Sequence, residues 1–208
     1  MEENKGKMKI YCVDGTELSG TTKFGEMLTE NLNEQGIKTL YVGESFNKFC
    51  LMYKDLDGDV SIKCGCGKSY DKCKFWSKIG NKYHGTLLNA YKIMLEEIEK
   101  QGYKAIVDSS KRLQAMMAYK DLGYNFKVYY VRRNPLKWRK SLEERGWKGN
   151  VLKLLLKWMY TNIIQIRNAK MIDQKTEFAY QKIFEVKGIF NEHKHVFGGN
   201  ENKFLDKK

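Results

Sequence analysis

Short apolar runs rich in β-branched and aromatic residues alternate along this chain with stretches of helical period, and that alternation constrains the fold more than any other feature. "MKIYCVD" (residues 8–14), "IKTLYVGE" (37–44), "YKAIVDSS" (103–110) and "FKVYYVRR" (126–133) read as strands. Between them, "TKFGEMLTENLNEQG" and "GTLLNAYKIMLEEIEKQG" repeat apolar residues at spacings of three and four and stop at Gly36 and Gly102, as helices do. Strand and helix taking turns in this way predict an α/β fold, a three-layer sandwich with a central parallel sheet flanked by helices. Past Pro135, the only proline, the sequence predicts one helix to about Arg145, a longer one in "VLKLLLKWMYTNIIQIRNAKMI", and a short strand in "FAYQKIF".

At roughly 150 residues per domain, a chain of 208 residues reads as a single domain over residues 1–208. Residues 54–81, "KDLDGDVSIKCGCGKSYDKCKFWSKIGN", break the alternation and read as an excursion over the top of the sheet. They contain Cys64, Cys66 and Cys73, a spacing short of the four ligands of a structural zinc unless His84 or Cys50 joins. A local element with thiols, or one disulfide, anchored by Phe75 and Trp76 is the alternative.

Thirty-eight Lys and Arg against 25 Asp and Glu give a net charge of +13, which favours anionic partners. The basic residues are spread along the chain, so a dedicated nucleic-acid arm is not expected. No run approaches the ~20 apolar residues of a membrane span, and the N-terminus turns from charged residues directly into a strand. Five cysteines, an odd number, fit a reducing compartment. A cytoplasmic protein is the expectation.

In a parallel sheet, ligands lie beyond the carboxyl ends of the strands. The first such end, "DGTELSGTTKFGEML", places glycines where backbone can approach an anion closely and begins a helix whose free N–H groups and dipole favour negative charge. Gly15 and Gly20 bracket four residues as in a Walker A loop, but Thr21 stands where that motif has lysine. The second end supplies Glu44. The third, "VDSSK", supplies Asp108 and Lys111, and Asp108 equally suits a helix N-cap. The fourth, "VRRNPLKWRKS", supplies Arg133 and, eight residues on, Ser141.

"LSGTTKFGEML", "VGE", "CGCGKSYDKCKFWSKI", "IVDSSK", "VRRNPLKWRKS" and "HVFGGNENKF" together resemble, in order and spacing, the sulfotransferases that use 3′-phosphoadenosine 5′-phosphosulfate (PAPS), most closely their bacterial, carbohydrate and tyrosylprotein-type branch. The resemblance runs from about residue 9 to 204. It implies a P-loop NTPase-like sulfotransferase fold and transfer of a sulfuryl group to a hydroxyl or amine acceptor, with adenosine 3′,5′-bisphosphate as the product and no metal required. Carried over residue by residue, it implies that Ser19, Gly20, Thr21 and Thr22 hold the 5′-phosphosulfate, that Arg133 and Ser141 hold the 3′-phosphate, that Gly199, Asn200 and Lys203 close over the nucleotide, and that Glu44 is the general base, with Asp108 the next carboxylate in line. Leu18 departs from the basic residue usual at that position. Lys23, in place of an apolar residue, Lys111 or another lysine then supplies the missing charge.

Sulfuryl transfer, like phosphoryl transfer, asks for in-line positioning and stabilisation of spreading charge, which lysines and N–H groups provide. A proton must also leave the acceptor, and Glu44 can take it if burial raises its pKa. Two other readings compete. A nucleoside or nucleotide kinase would use Asp108 as a Walker B aspartate and Thr21 as a Mg²⁺ ligand; a catalytically inactive nucleotide- or nucleic-acid-binding module would account for Leu18 and the +13 charge.

Overall fold

A computed structural model of the chain describes residues 7–53, 68, 72–82, 85–147, 149–172 and 179–182. Among these, five strands, β1 (Lys9–Gly15), β2 (Thr39–Gly43), β3 (Ala105–Asp108), β4 (Phe126–Arg132) and β5 (Ala179–Lys182), form one sheet in the order β2-β3-β1-β4-β5, and every neighbouring pair is parallel. Seven helices accompany them: α1 (Thr21–Glu34), α2 (Ser45–Tyr53), α3 (Lys74–Lys82), α4 (Leu87–Lys100), α5 (Leu113–Asp121), α6 (Pro135–Glu144) and α7 (Val151–Ile172).

Strand alternation divides the apolar residues between two layers of helices. Ile10, Cys12, Ile106 and Val128 face one side, where they meet Tyr91, Met94 and Ile98 of α4 and Met116 and Tyr119 of α5. Val13, Val107, Tyr129 and Val131 face the other, against Phe24, Met27, Leu28 and Leu32 of α1. Near-continuous apolar strands such as "AIVD", buried at every position, are what a sheet covered on both faces requires. Burying each large apolar side chain contributes about 1.5–3 kcal/mol.

The helices start where local chemistry directs. Thr86 caps α4, its side chain accepting the Asn89 N–H at 3.3 Å; Asn134 caps α6 by accepting the Leu136 N–H at 2.9 Å, with Pro135 in the first turn. The third apolar cluster joins α6 to α7 through Trp138, Leu142, Leu154 and Trp158, and Leu18 from the β1–α1 connection packs against it. Helices α2, α3 and α5 add to those expected from sequence, and α3 closes the expected excursion. Residues 54–67 and 69–71 of that excursion, Cys64 and Cys66 among them, lie outside the described residues, while Cys73 is buried beside α3. No helix among the described residues is long and apolar enough to cross a membrane. Five parallel strands between helix layers, with a glycine-bearing loop joining the central β1 to α1, make a P-loop-like α/β fold.

Candidate functional site

The loop between β1 and α1 is held from behind and open in front. Gly15 lies against β4: a Cβ there would come within 2.4 Å of the Val131 carbonyl oxygen and 2.7 Å of Ser19 Oγ, so only glycine fits. Gly20, at φ 95°, turns the chain into α1 in a left-handed conformation and leaves the first turn of that helix without a side-chain cap. Between them, Trp138 Nε1 donates to the Glu17 carbonyl at 2.7 Å and Arg133 Nη1 donates to the Leu18 carbonyl at 2.9 Å. Leu18 itself takes φ 61°, a conformation costing a non-glycine residue about 1–2 kcal/mol. Its side chain offsets this by packing on the Trp138–Trp158 cluster. The leucine at this position therefore serves as an apolar peg that fixes the loop to α6 and α7. Within the loop, Thr16 is 2% exposed and Ser19 0%, and both hydroxyls lack a protein partner. Unsatisfied buried hydroxyls carry a desolvation cost that a bound group can relieve.

Beside the loop, a cleft of about 340 Å³ opens over the carboxyl ends of β1, β2 and β3. Gly15, Thr16 and Glu17 form one wall, Glu44 and Asn47 a second, and Ser110, Lys111 and Arg112 a third; Trp138 of α6 with Lys157 and Thr161 of α7 complete it. Lys111, at φ 54°, extends its ammonium to Glu44, Nζ to Oε1 at 2.7 Å, and Asn47 Nδ2 donates to Glu44 Oε2 at 2.5 Å. Both oxygens of Glu44 are thus engaged, and its side chain is about one-third exposed, not sealed in an apolar pocket.

Asp108 has a different setting. It is buried and accepts hydrogen bonds from Ser45 Oγ, from the Ser110 N–H at 2.7 Å and the Ser110 hydroxyl, and from the Tyr119 hydroxyl. Burial pushes its carboxyl above the usual range, against the pull of these four donors. Asp14, at the end of β1, is also buried; burial pushes it up to about 6, opposed by the 2.7 Å bond from the Gly15 N–H and by the charges of Lys111 and Arg112.

The structure brings Glu44 and Lys111 together in the cleft and Ser19, Gly20, Thr21 and Arg133 together at the loop. Thr21 is buried and Thr22 exposed in the first turn of α1. Lys23 points outward, 3.5 Å from Glu26 on the same helix. Arg133 is half-buried, which lowers its guanidinium from the ordinary value, with Glu144 opposing. Arg132 instead lies exposed over the Trp158 ring at 4.6 Å. Ser141 is half-buried on α6. Gly199, Asn200, Lys203 and His84 lie outside the described residues. Among the described residues, no group of three or more His, Cys, Asp or Glu side chains is arranged to hold a metal. Sequence reasoning missed Asp14, Thr16, Asn47, Arg112 and Lys157. Thr16 was within reach, as a hydroxyl between the two loop glycines; the others become visible only when separate strand ends and α7 converge.

No family model matches the chain, and no curated protein does. Among solved structures, the APS kinase of Mycobacterium tuberculosis, in complex with AMPPNP and APS, is 11% identical over 65% of this chain and 69% of that one, with a TM-score of 0.36. An uncharacterized protein from Eubacterium ventriosum is 10% identical over 82% of this chain and 83% of that one, with a TM-score of 0.40. Both likenesses are distant, and the P-loop-like assignment stands on the strand order and on the loop between β1 and α1.

Proposed function

We propose that this chain is a PAPS-dependent sulfotransferase acting on a hydroxyl- or amine-bearing acceptor. The observation that carries the reading is the pair of buried, unpartnered hydroxyls, Thr16 Oγ1 and Ser19 Oγ, in a glycine-bracketed loop that opens a helix. Hydroxyls and helix N–H groups are the donors an anionic group needs, so the residues present fit a phosphosulfate. Ser19, Gly20, Thr21 and Thr22 would hold the 5′ end; Arg133, just past β4, and Ser141, on α6, would hold the 3′-phosphate. When bound, PAPS supplies an activated sulfuryl group on a phosphate leaving group. Lys111, with Arg112 and Lys157 in the same cleft, carries positive charge to the reacting side of the loop. Glu44 accepts the acceptor's proton, its carboxylate oriented by Lys111 and Asn47.

The kinase reading draws on the same fold and on Asp108 at the end of β3. Against it, Asp108 is confined by four hydrogen bonds on the sheet's buried side, and Thr21 occupies the Walker lysine position. Titration calorimetry with adenosine 3′,5′-bisphosphate in excess EDTA separates the two. Binding at full affinity is expected. Binding that vanishes with the chelator and returns with ATP and Mg²⁺ selects the kinase, and binding without transfer to any acceptor selects the inactive module.

A further inference from the structure

The outer side of α7 is apolar and basic at once. Leu154, Trp158 and Asn162, four residues apart, are buried against the body of the protein. At about 100° per residue, the opposite side then carries Leu152, Leu156, Met159, Tyr160 and Ile163, and each of these is at least half exposed. The five fall within an arc of about 100° and a length of roughly 17 Å. Single exposed apolar residues are ordinary on a protein surface, whereas a contiguous stripe marks a contact. Trp147, 49% exposed with Lys157 Nζ 4.4 Å over its ring, adds an amphipathic ring beside the helix.

Charge decides what the stripe meets. From Val151 to Ile172, α7 carries Lys153, Lys157, Arg167 and Lys170 and no acidic residue. Lys153 borders the stripe and Arg167 extends it, both exposed. A second copy of the chain would set this positive region against itself. A nucleic acid would use the charge but leave five apolar side chains in water. We propose that this side of α7 docks on an anionic lipid bilayer, with the stripe entering the boundary between headgroups and acyl chains and the lysines and arginines facing the lipid charge. Lys157 and Thr161 on the flank of the same helix line the cleft, so docking brings the cleft beside the headgroups.

Co-sedimentation of the full chain with extruded vesicles tests this, using phosphatidylcholine alone and phosphatidylcholine mixed with phosphatidylserine. Binding is expected to the mixed vesicles only and to weaken as salt is added. Lys153→Ala and Arg167→Ala should each weaken it about fivefold. Leu156→Ser and Ile163→Ser, on the exposed side and checked for unchanged thermal unfolding, should each weaken it by about tenfold or more, even at low salt. The proposal is overturned by binding that survives the two serine variants, which would assign it to diffuse charge. It is equally overturned by a lipid-free dimer that Leu156→Glu dissociates, or by absent binding with the stripe protected from side-chain labelling in the monomer, which would give the surface to a second copy or to the chain's own remaining residues.

Discussion

Arg132 and Arg133 follow one another at the end of β4, yet one stacks on Trp158 and the other clasps the Leu18 carbonyl. Arg132 is the last residue of β4 and Arg133 the first beyond it; successive side chains of extended backbone leave on opposite faces, and of the two it is Arg133 that bonds the loop. Arg133→Ala should weaken binding of adenosine 3′,5′-bisphosphate about 10–100-fold, the worth of one or two charge-assisted bonds, while Arg132→Ala leaves it near the parent value. Calorimetry on the two variants checks this, and equal losses would move the anchor elsewhere. Glu44→Gln should keep nucleotide affinity and lower single-turnover transfer by roughly 10²–10⁴-fold, the usual effect of losing a positioned base. Asp108→Asn, run beside it, should lose stability, because an amide cannot accept all four bonds made to the carboxylate. If instead the Glu44 variant transfers at the parent rate and the Asp108 variant does not, the proton acceptor is Asp108. Asp14 provides a pH signature. Its folded-state value near 6 exceeds the ordinary 3.8, so the folded protein holds that proton more tightly than the unfolded chain. Stability from this group is present below about pH 4 and is lost as pH rises through about 6. Asp14→Asn should therefore gain about 2–3 kcal/mol on the parent between pH 4 and pH 7.5, read from urea unfolding at both values.

Among the elements, the β1–α1 loop depends most on its neighbours. Gly15→Ala would drive a methyl group into the Val131 carbonyl, where β1 and β4 are in register, and backbone cannot step aside as a flexible side chain can. A stability loss of about 1–3 kcal/mol, with weakened nucleotide binding, is the expected outcome in thermal unfolding and calorimetry. Strands β1 and β4 and helices α1, α4, α6 and α7 were legible because each states its own pattern: α7 was bounded at Val151 and Ile172, and α6 is announced by Asn134 and Pro135. Helices α2 and α5 were not. Each spans only nine residues, and no side chain caps α5 at Arg112. Their helicity comes from packing, as with Ala115, Met116 and Tyr119 against the sheet, and packing is not written in local spacing. The site divides the same way. Its loop and Arg133 carry a motif, but nothing local marks the confinement of Asp108, which is imposed by Ser45 and Tyr119 from two other elements.

For the molecule as a whole, the sheet order governs more than the position of a cleft. β1 is the first of the described strands to be made, yet it lies at the centre, with Ile10 beside Ile106 of β3 on one edge and Phe126 of β4 on the other. Such distant pairings slow folding, because loop closure must precede the contacts that reward it. On a ribosome adding about 5–20 residues per second, the apolar β1 would spend roughly 5–20 s without a sheet partner after its own synthesis. Because the loop of the candidate site hangs from β1 and is fastened by Arg133 and Trp138, which come later still, a nucleotide bound as proposed would meet no fastened loop until Trp138 has been made. Any ligand affinity of this loop then arises well after β1 itself, and the long interval between the two is when the apolar strand is most exposed to chaperones, proteases and self-association.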